Sequence, residues 1–192
     1  MHGAMHVQTA LAPALCAAAE TNIVHHKEGG FRFAAYRAAE CVADVWGGEQ
    51  APGTPWGQYT ITPIFSTTKA VAAACLALMH SRGHLDYEAP VASYWPAFAQ
   101  AGKEEITVRT LLDHRAGLAA LDEEPSWEVM ADPEARDALL ARQRPAWQPG
   151  TQQGYHVWTI GWYMSALLAH TDPQGRHLHR FVQEELQPHL PG

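Results

Sequence analysis

Three cysteines, no run of basic residues and no long apolar segment are what this sequence is short of, and each shortage removes a class of protein. Cys16, Cys41 and Cys75 are odd in number and form no Cys-x-x-Cys pair, and Cys75 sits inside an apolar stretch. That pattern fits reduced, mostly buried thiols, so a cytoplasmic location is expected in preference to a secreted disulfide scaffold. Nothing in the chain reaches the roughly 18 uninterrupted apolar residues of a membrane helix. Leu11–Ala19 is apolar and small, but no Lys or Arg precedes it, so it lacks the positive start of a signal peptide. The basic residues are scattered and the formal net charge is −7, which argues against nucleic acid or an anionic membrane surface as partner. No Gly-x-Ser-x-Gly is present to make the nucleophile elbow of an α/β-hydrolase. No His-Glu-x-x-His is present to make a zinc hydrolase. The 12 histidines are dispersed, and even His25-His26 has no third ligand nearby, so neither a metal nor a cofactor is expected.

What is there is a globular chain. Its 192 residues are 47% hydrophobic and 17% charged, enough for a real core. Val7, Leu11, Ala14, Leu15 and Ala18 fall at helical spacing and predict a helix over 5–20. Asn22–Gly30 reads as a loop. Phe31–Trp46 reads as a two-strand hairpin, although Ala38-Ala39-Glu40 is poor turn chemistry. Gln50–Gly57 reads as a loop and Tyr59–Thr62 as a short strand. Ser66–Arg82 is apolar nearly all round, which predicts a buried helix, with Gly83 closing it and Leu85 following as an apolar contact. Short helices are expected at Val91–Trp95 and at Val108–Leu112, the second capped by Thr107. Ser126–Met130 and Pro133–Arg142 follow, with Asp132 as cap and Pro133 in the first turn. Tyr155–His170 and Leu178–Leu186 are the last two helical segments.

Phe65-Ser66-Thr67-Thr68-Lys69 opens the apolar helix. Positions three apart share a helix face, so Ser66 and Lys69 project side by side. A serine hydroxyl needs a base within hydrogen-bond reach. A lysine fills that role only where desolvation and the positive end of the helix dipole disfavour its charged form. Backbone N–H groups of the first turn are also available to hold an oxyanion. Alone, Ser-x-x-Lys is better explained by Ser66 capping a helix and Lys69 lying in solvent, because chance produces the spacing often.

Further segments give it context. Gly83-His84-Leu85-Asp86 with Ala89-Pro90-Val91 runs on to Tyr94-Trp95-Pro96. Ile106–Leu118 reads Ile-Thr-Val-Arg-Thr-Leu-Leu-Asp-His-Arg-Ala-Gly-Leu. Pro149-Gly150-Thr151 is followed by Tyr155-His156-Val157. In this order, with Ser66–Lys69, they resemble the serine β-lactamase and penicillin-binding-protein superfamily. The subgroup most similar is the class C-like (family VIII) carboxylesterases, whose Val-Asp-Leu-Trp-Gly-Gly and Tyr-His-Ala are echoed by Val42–Gly48 and Tyr155–Val157.

The resemblance implies an α+β, β-lactamase-like fold, mostly helical over this chain. It would form one incomplete domain, with an N-terminal helix and strands over 1–62 and a mainly helical portion over 63–192. It implies Ser66 as acylated nucleophile, Lys69 as proton acceptor and Tyr155 as the phenol sharing that proton. Tyr155 would otherwise be an aromatic in the core at a helix start. The implied partner is a small-molecule ester or amide. Val157 stands where β-lactamases of this class carry Asn, which tilts the expectation toward simple carboxylic esters. A β-lactamase or D-alanyl peptidase-like activity is the alternative within the fold. An inactive truncated paralogue with a binding role is the alternative outside it. The family's third motif lies on a strand downstream of this chain. The expected consequences of its absence are a weakened oxyanion hole and self-association through uncovered apolar faces.

Overall fold

A computed structural model describes residues 5–7 and 12–190. The chain divides into two compact units at Pro63 and Ile64.

The first unit is a helix with an antiparallel sheet. Its order is β1 (Met5–Val7), α1 (Ala12–Val24), β2 (Gly30–Arg37), β3 (Glu40–Ala51) and β4 (Thr54–Pro55). The long β3 lies between β1 and β2, and its far end pairs with β4. The predicted helix over 5–20 is therefore displaced. Its first residues form a strand on β3, with Met5 opposite Val45, and the helix starts at Ala12 and runs through Val24 into the expected loop. Residues 8–11 of that prediction lie outside the described residues.

The β2–β3 hairpin is present. Its turn is made by Ala38 and Ala39, both left-handed at φ 49° and 66°, between the paired Arg37 and Glu40. Two positive φ values are what a two-residue hairpin turn with the twist of its strands requires. Alanine meets that need against its own preference, so the ladder and not the turn sequence sets the geometry. On β3, Ala43 and Val45 are buried, while Asp44 takes a two-pronged ion pair from Arg32 at 2.9 Å per prong. The expected loop over Gln50–Gly57 contains β4, and the expected strand over Tyr59–Thr62 is irregular chain with Ile61 almost fully exposed.

The second unit holds α2 (Thr68–Ser81), α3 (Val108–Leu112), α4 (Trp127–Ala131), α5 (Pro133–Arg142), α6 (Thr159–Thr171) and α7 (Leu178–Phe181). Single 3₁₀ turns occupy Phe65–Thr67, Val91–Ser93 and Pro96–Phe98, and a π-helical turn over Val182–Leu186 extends α7. α2 is alanine-rich and free of breakers, which favours helix. It ends as the sequence predicts: Gly83 is left-handed at φ 77°, its N–H donates to His80 O, and His84 N–H donates to Met79 O. Thr107, Ser126 and Asp132 cap α3, α4 and α5 through their side chains.

The core is organised on α6. It buries Ile160, Tyr163, Met164, Leu167 and Leu168 and packs against α2, α3, α5 and α7. Cys75, Leu76 and Met79 of α2 meet it, as do Trp95 and Phe98. Two buried cations pin the surrounding chain. Lys103 is fully buried and donates to the carbonyls of Gln100, Ala141 and Gln143 at 2.9, 2.8 and 2.7 Å; burial pushes its ammonium down to about 8. Arg176 pairs with buried Asp172 at 2.8 Å and reaches Glu184 and Glu185.

Candidate active site

Ser66, Lys69 and Tyr155 are brought together in the second unit. Ser66 sits in the 3₁₀ turn that leads into α2. Neither the turn nor α2 is capped by a side chain, so Ser66 is not spent on the cap. Its Oγ accepts a hydrogen bond from Lys69 Nζ at 3.0 Å. The spacing of three places both on one face, as expected. The same Nζ donates to the backbone carbonyl of Val157 at 2.7 Å and lies 5.0 Å from the centre of the Tyr155 ring.

Tyr155 precedes α6 by four residues and is half exposed, so it is not a core aromatic. Hydrogen bonding with Ser66, then with Lys69, and the Lys69 charge hold its phenol below the usual value near 10. An opposite charge and hydrogen bonds both favour the phenolate.

What holds Tyr155 in place was not singled out from the sequence. His156 faces away from the site, fully buried, between two residues that both meet Lys69. Its Nε2 accepts the Leu118 N–H at 2.9 Å, so the ring proton is on Nδ1, which donates to Gly154 O at 2.5 Å. His114 Nδ1 in turn accepts the His156 N–H at 3.0 Å, and its ring packs on Tyr155 with centroids 4.9 Å apart. Thr159 Oγ1 donates to Leu118 O at 2.6 Å. These bonds join 114–118 to 154–159. Burial pushes both imidazoles below their ordinary value, and the neighbouring positive charges of His156 and Lys69 push His114 down further. Both histidines stand in segments whose pattern was legible; their pairing across some forty residues was not.

Phe65, immediately before Ser66, is left-handed at φ 43° and exposed, a conformation rare for a bulky residue. Beside Ser66 and Lys69 lies a groove of about 260 Å³. A larger depression of about 590 Å³ in the first unit is lined by no Ser, Cys, His or Lys. Among the described residues no cluster of three His, Cys, Asp or Glu is placed to hold a metal ion. Also among the described residues, no helix is long and apolar enough to cross a membrane.

This fold and arrangement place the chain in a known family. The Beta-lactamase family profile matches residues 16–190, and the chain belongs to that family. It is similar to the esterase/beta-lactamase LipL of Mycobacterium tuberculosis, 36% identical over 160 residues that cover 82% of this chain and 36% of LipL. Among solved structures, a penicillin-binding protein homolog from Caulobacter crescentus matches 99% of this chain and 51% of its own, with a TM-score of 0.90 and 34% identity. A family VIII carboxylesterase matches 96% of this chain and 50% of its own, with a TM-score of 0.88 and 31% identity. The chain thus spans about half the length of these structures and about a third of LipL.

Proposed function

We propose that the chain carries the nucleophile-and-base portion of a serine hydrolase acting on small carboxylic esters through an acyl-Ser66 intermediate. The observation that carries this is the 3.0 Å contact between Lys69 Nζ and Ser66 Oγ, with Tyr155 beside both. In the first step the Ser66 hydroxyl proton passes to the Lys69–Tyr155 pair as Oγ bonds to the ester carbonyl carbon. In that turn the Thr67 and Thr68 N–H groups are taken by the carbonyls of Ile64 and Phe65, so the tetrahedral oxyanion is left the backbone N–H of Ser66. Collapse breaks the bond to the alkoxide, which leaves with a proton from the pair. Water then attacks acyl-Ser66, gives its proton to the same pair, and releases the carboxylic acid. Hydrogen bonding between phenol and amine lets one proton be shared and returned.

The likeness to a family VIII carboxylesterase and to LipL supports ester substrates. So does Val157, which offers the site an apolar side chain and no amide. The likeness to a penicillin-binding protein homolog favours the second reading, amide or β-lactam acylation at the same serine. A fluorophosphonate probe should label Ser66, and Ser66→Ala should abolish both labelling and nitrophenyl-ester turnover. Turnover that survives Ser66→Ala overturns the proposal. Nitrocefin turned over faster than nitrophenyl esters selects the second reading.

A further inference from the structure

Away from Ser66, α5, α6 and the start of α7 meet at a second group of polar side chains. Asp137 of α5 faces His177, the residue before α7, with Oδ2 and Nε2 3.7 Å apart. The other ring nitrogen, His177 Nδ1, lies 3.3 Å from Ser165 Oγ of α6, and that Oγ accepts the Leu178 N–H at 3.2 Å. Asp, His and Ser in line have the composition of a hydrolytic triad. Ser165 sits inside α6 with its oxygen occupied by the Leu178 N–H, however, so it presents no nucleophile.

Asp137 is the unsatisfied member. It is buried, and its Oδ1 has no hydrogen-bond partner among the described residues. Arg136 Nε, buried and likewise without a hydrogen-bond partner, stops 3.9 Å from that oxygen. Nη1 of Arg136 donates to Met130 O at 3.3 Å, which holds the guanidinium toward α4. Both approaches to Asp137 are too long for hydrogen bonds, so its carboxylate loses hydration without replacing it.

We infer that Asp137 and His177 are a proton-operated clasp: on acidification they take up one proton between them, which bonds Nε2 to Oδ2 and ties the start of α7 to α5. The proton comes from solvent. With it, the ring directs one hydrogen from Nδ1 to Ser165 Oγ, and a second hydrogen spans Nε2 and Oδ2. Neutral acid with neutral ring, and carboxylate with imidazolium, differ only in where along that line the second hydrogen sits. Burial raises the Asp137 carboxyl to about 6 and lowers the His177 imidazole, so the two approach each other and titrate as a pair. Arg136 lowers both, and His170 of α6 and His179 of α7 also weigh on the imidazole. Other charges on the packed elements are engaged or exposed. Glu128 of α4 is held by Ser126 and Arg142 of α5 by Glu123, while Glu134 of α5 is exposed. Asp172 and Arg176, just before the clasp, are bound to each other, and Arg180 of α7 is bound to Glu184.

Nuclear magnetic resonance and a double-mutant cycle test this on the whole chain. From pH 8 to pH 5, the Asp137 carboxyl carbon and the His177 ring nitrogens should shift in one step with a midpoint of about 6. Protection of the Leu178 amide, corrected for its intrinsic exchange rate, should rise at least about fivefold over that step. Urea unfolding of Asp137→Asn, His177→Gln and the double variant should give a stabilising coupling of at least about fivefold at pH 5, against less than about twofold at pH 8. If a variant does not fold, the resonance titration of the parent decides alone. The inference is overturned if the carboxyl carbon shifts without the ring nitrogens, if Leu178 protection does not rise, or if the coupling at pH 5 is no larger than at pH 8. None of these measurements involves Ser66, so failure here leaves the hydrolase reading standing.

Discussion

The imidazole of His156 accepts the backbone N–H of Leu118 at 2.9 Å from a fully buried position, and so fixes the segment that presents Tyr155 and the Val157 carbonyl to Lys69. Removing the acceptor leaves a buried donor unsatisfied, at about 1–3 kcal/mol, and opens a cavity besides. His156→Ala should therefore lower the unfolding free energy by about 2–4 kcal/mol in urea titrations. It should also slow fluorophosphonate labelling of Ser66, although residue 156 does not touch the probe.

The same pair of histidines predicts a pH dependence. The folded-state values of His114 and His156 lie below the ordinary one near 6.5. The unfolded chain therefore binds more protons below that value, and stability falls with falling pH. Asp137 works in the opposite sense. Burial raises its carboxyl to about 6, so its contribution favours the folded state as pH drops through that value. In an Asp137→Asn background, urea midpoints should be level between about pH 7 and 8 and decline from about 6.5 downward, while above about 8 they rise as Lys103, lowered by burial to about 8, loses its proton in the folded state first. Midpoints that rise on acidification contradict the assigned ring protonation.

Tyr155→Phe keeps the ring packed on His114 and removes the hydroxyl. A loss of about 10²–10⁴ in kcat is expected for a proton-transfer group, with KM little changed. Because the phenol lies below its usual value, kcat/KM of the parent should rise with pH through a midpoint below 10. That limb should vanish in the phenylalanine variant.

Lys103 holds three carbonyls at the end of α5 and the 97–103 loop. Lys103→Met fills similar volume but strands those acceptors, so a loss of at least about 3 kcal/mol is expected. Calorimetric melting reads it directly.

Ala39→Gly relieves a left-handed alanine at φ 66° and should stabilise the hairpin by about 1 kcal/mol. Ala35→Gly, in the strand interior, should destabilise it by about 0.5–1 kcal/mol. Equal effects at both positions would show that turn strain is not felt.

Much of the second unit was legible in the sequence because its signals are local. Gly83, Thr107, Asp132 and Pro133 fix helix ends through their own backbone or side-chain chemistry, and Ser66 and Lys69 meet through helical spacing alone. The helix over 12–20 is as expected, but residues 5–7 and 22–24 differ, because Leu11–Ala19 offers a helical period whose edges carry no cap, and strand pairing with β3 overrides it at the start. The expected strand at Tyr59–Thr62 failed for the converse reason. β-type residues form a strand only where a partner strand offers hydrogen bonds. The helix begins at Thr159 and not at Tyr155, because apolar spacing does not report the His156 clamp, which keeps 155–156 out of the helix and is followed by a turn at 157–158.

Lys69 is tethered to position 157 through a main-chain oxygen, not a side chain. The residue at 157 can therefore be exchanged for another without releasing the lysine, while its side chain faces the groove. The side chain at that position is separable from the main-chain anchor it also supplies to Lys69. A library at 157 should shift which acyl groups are accepted while leaving the Lys69–Ser66 pair in register.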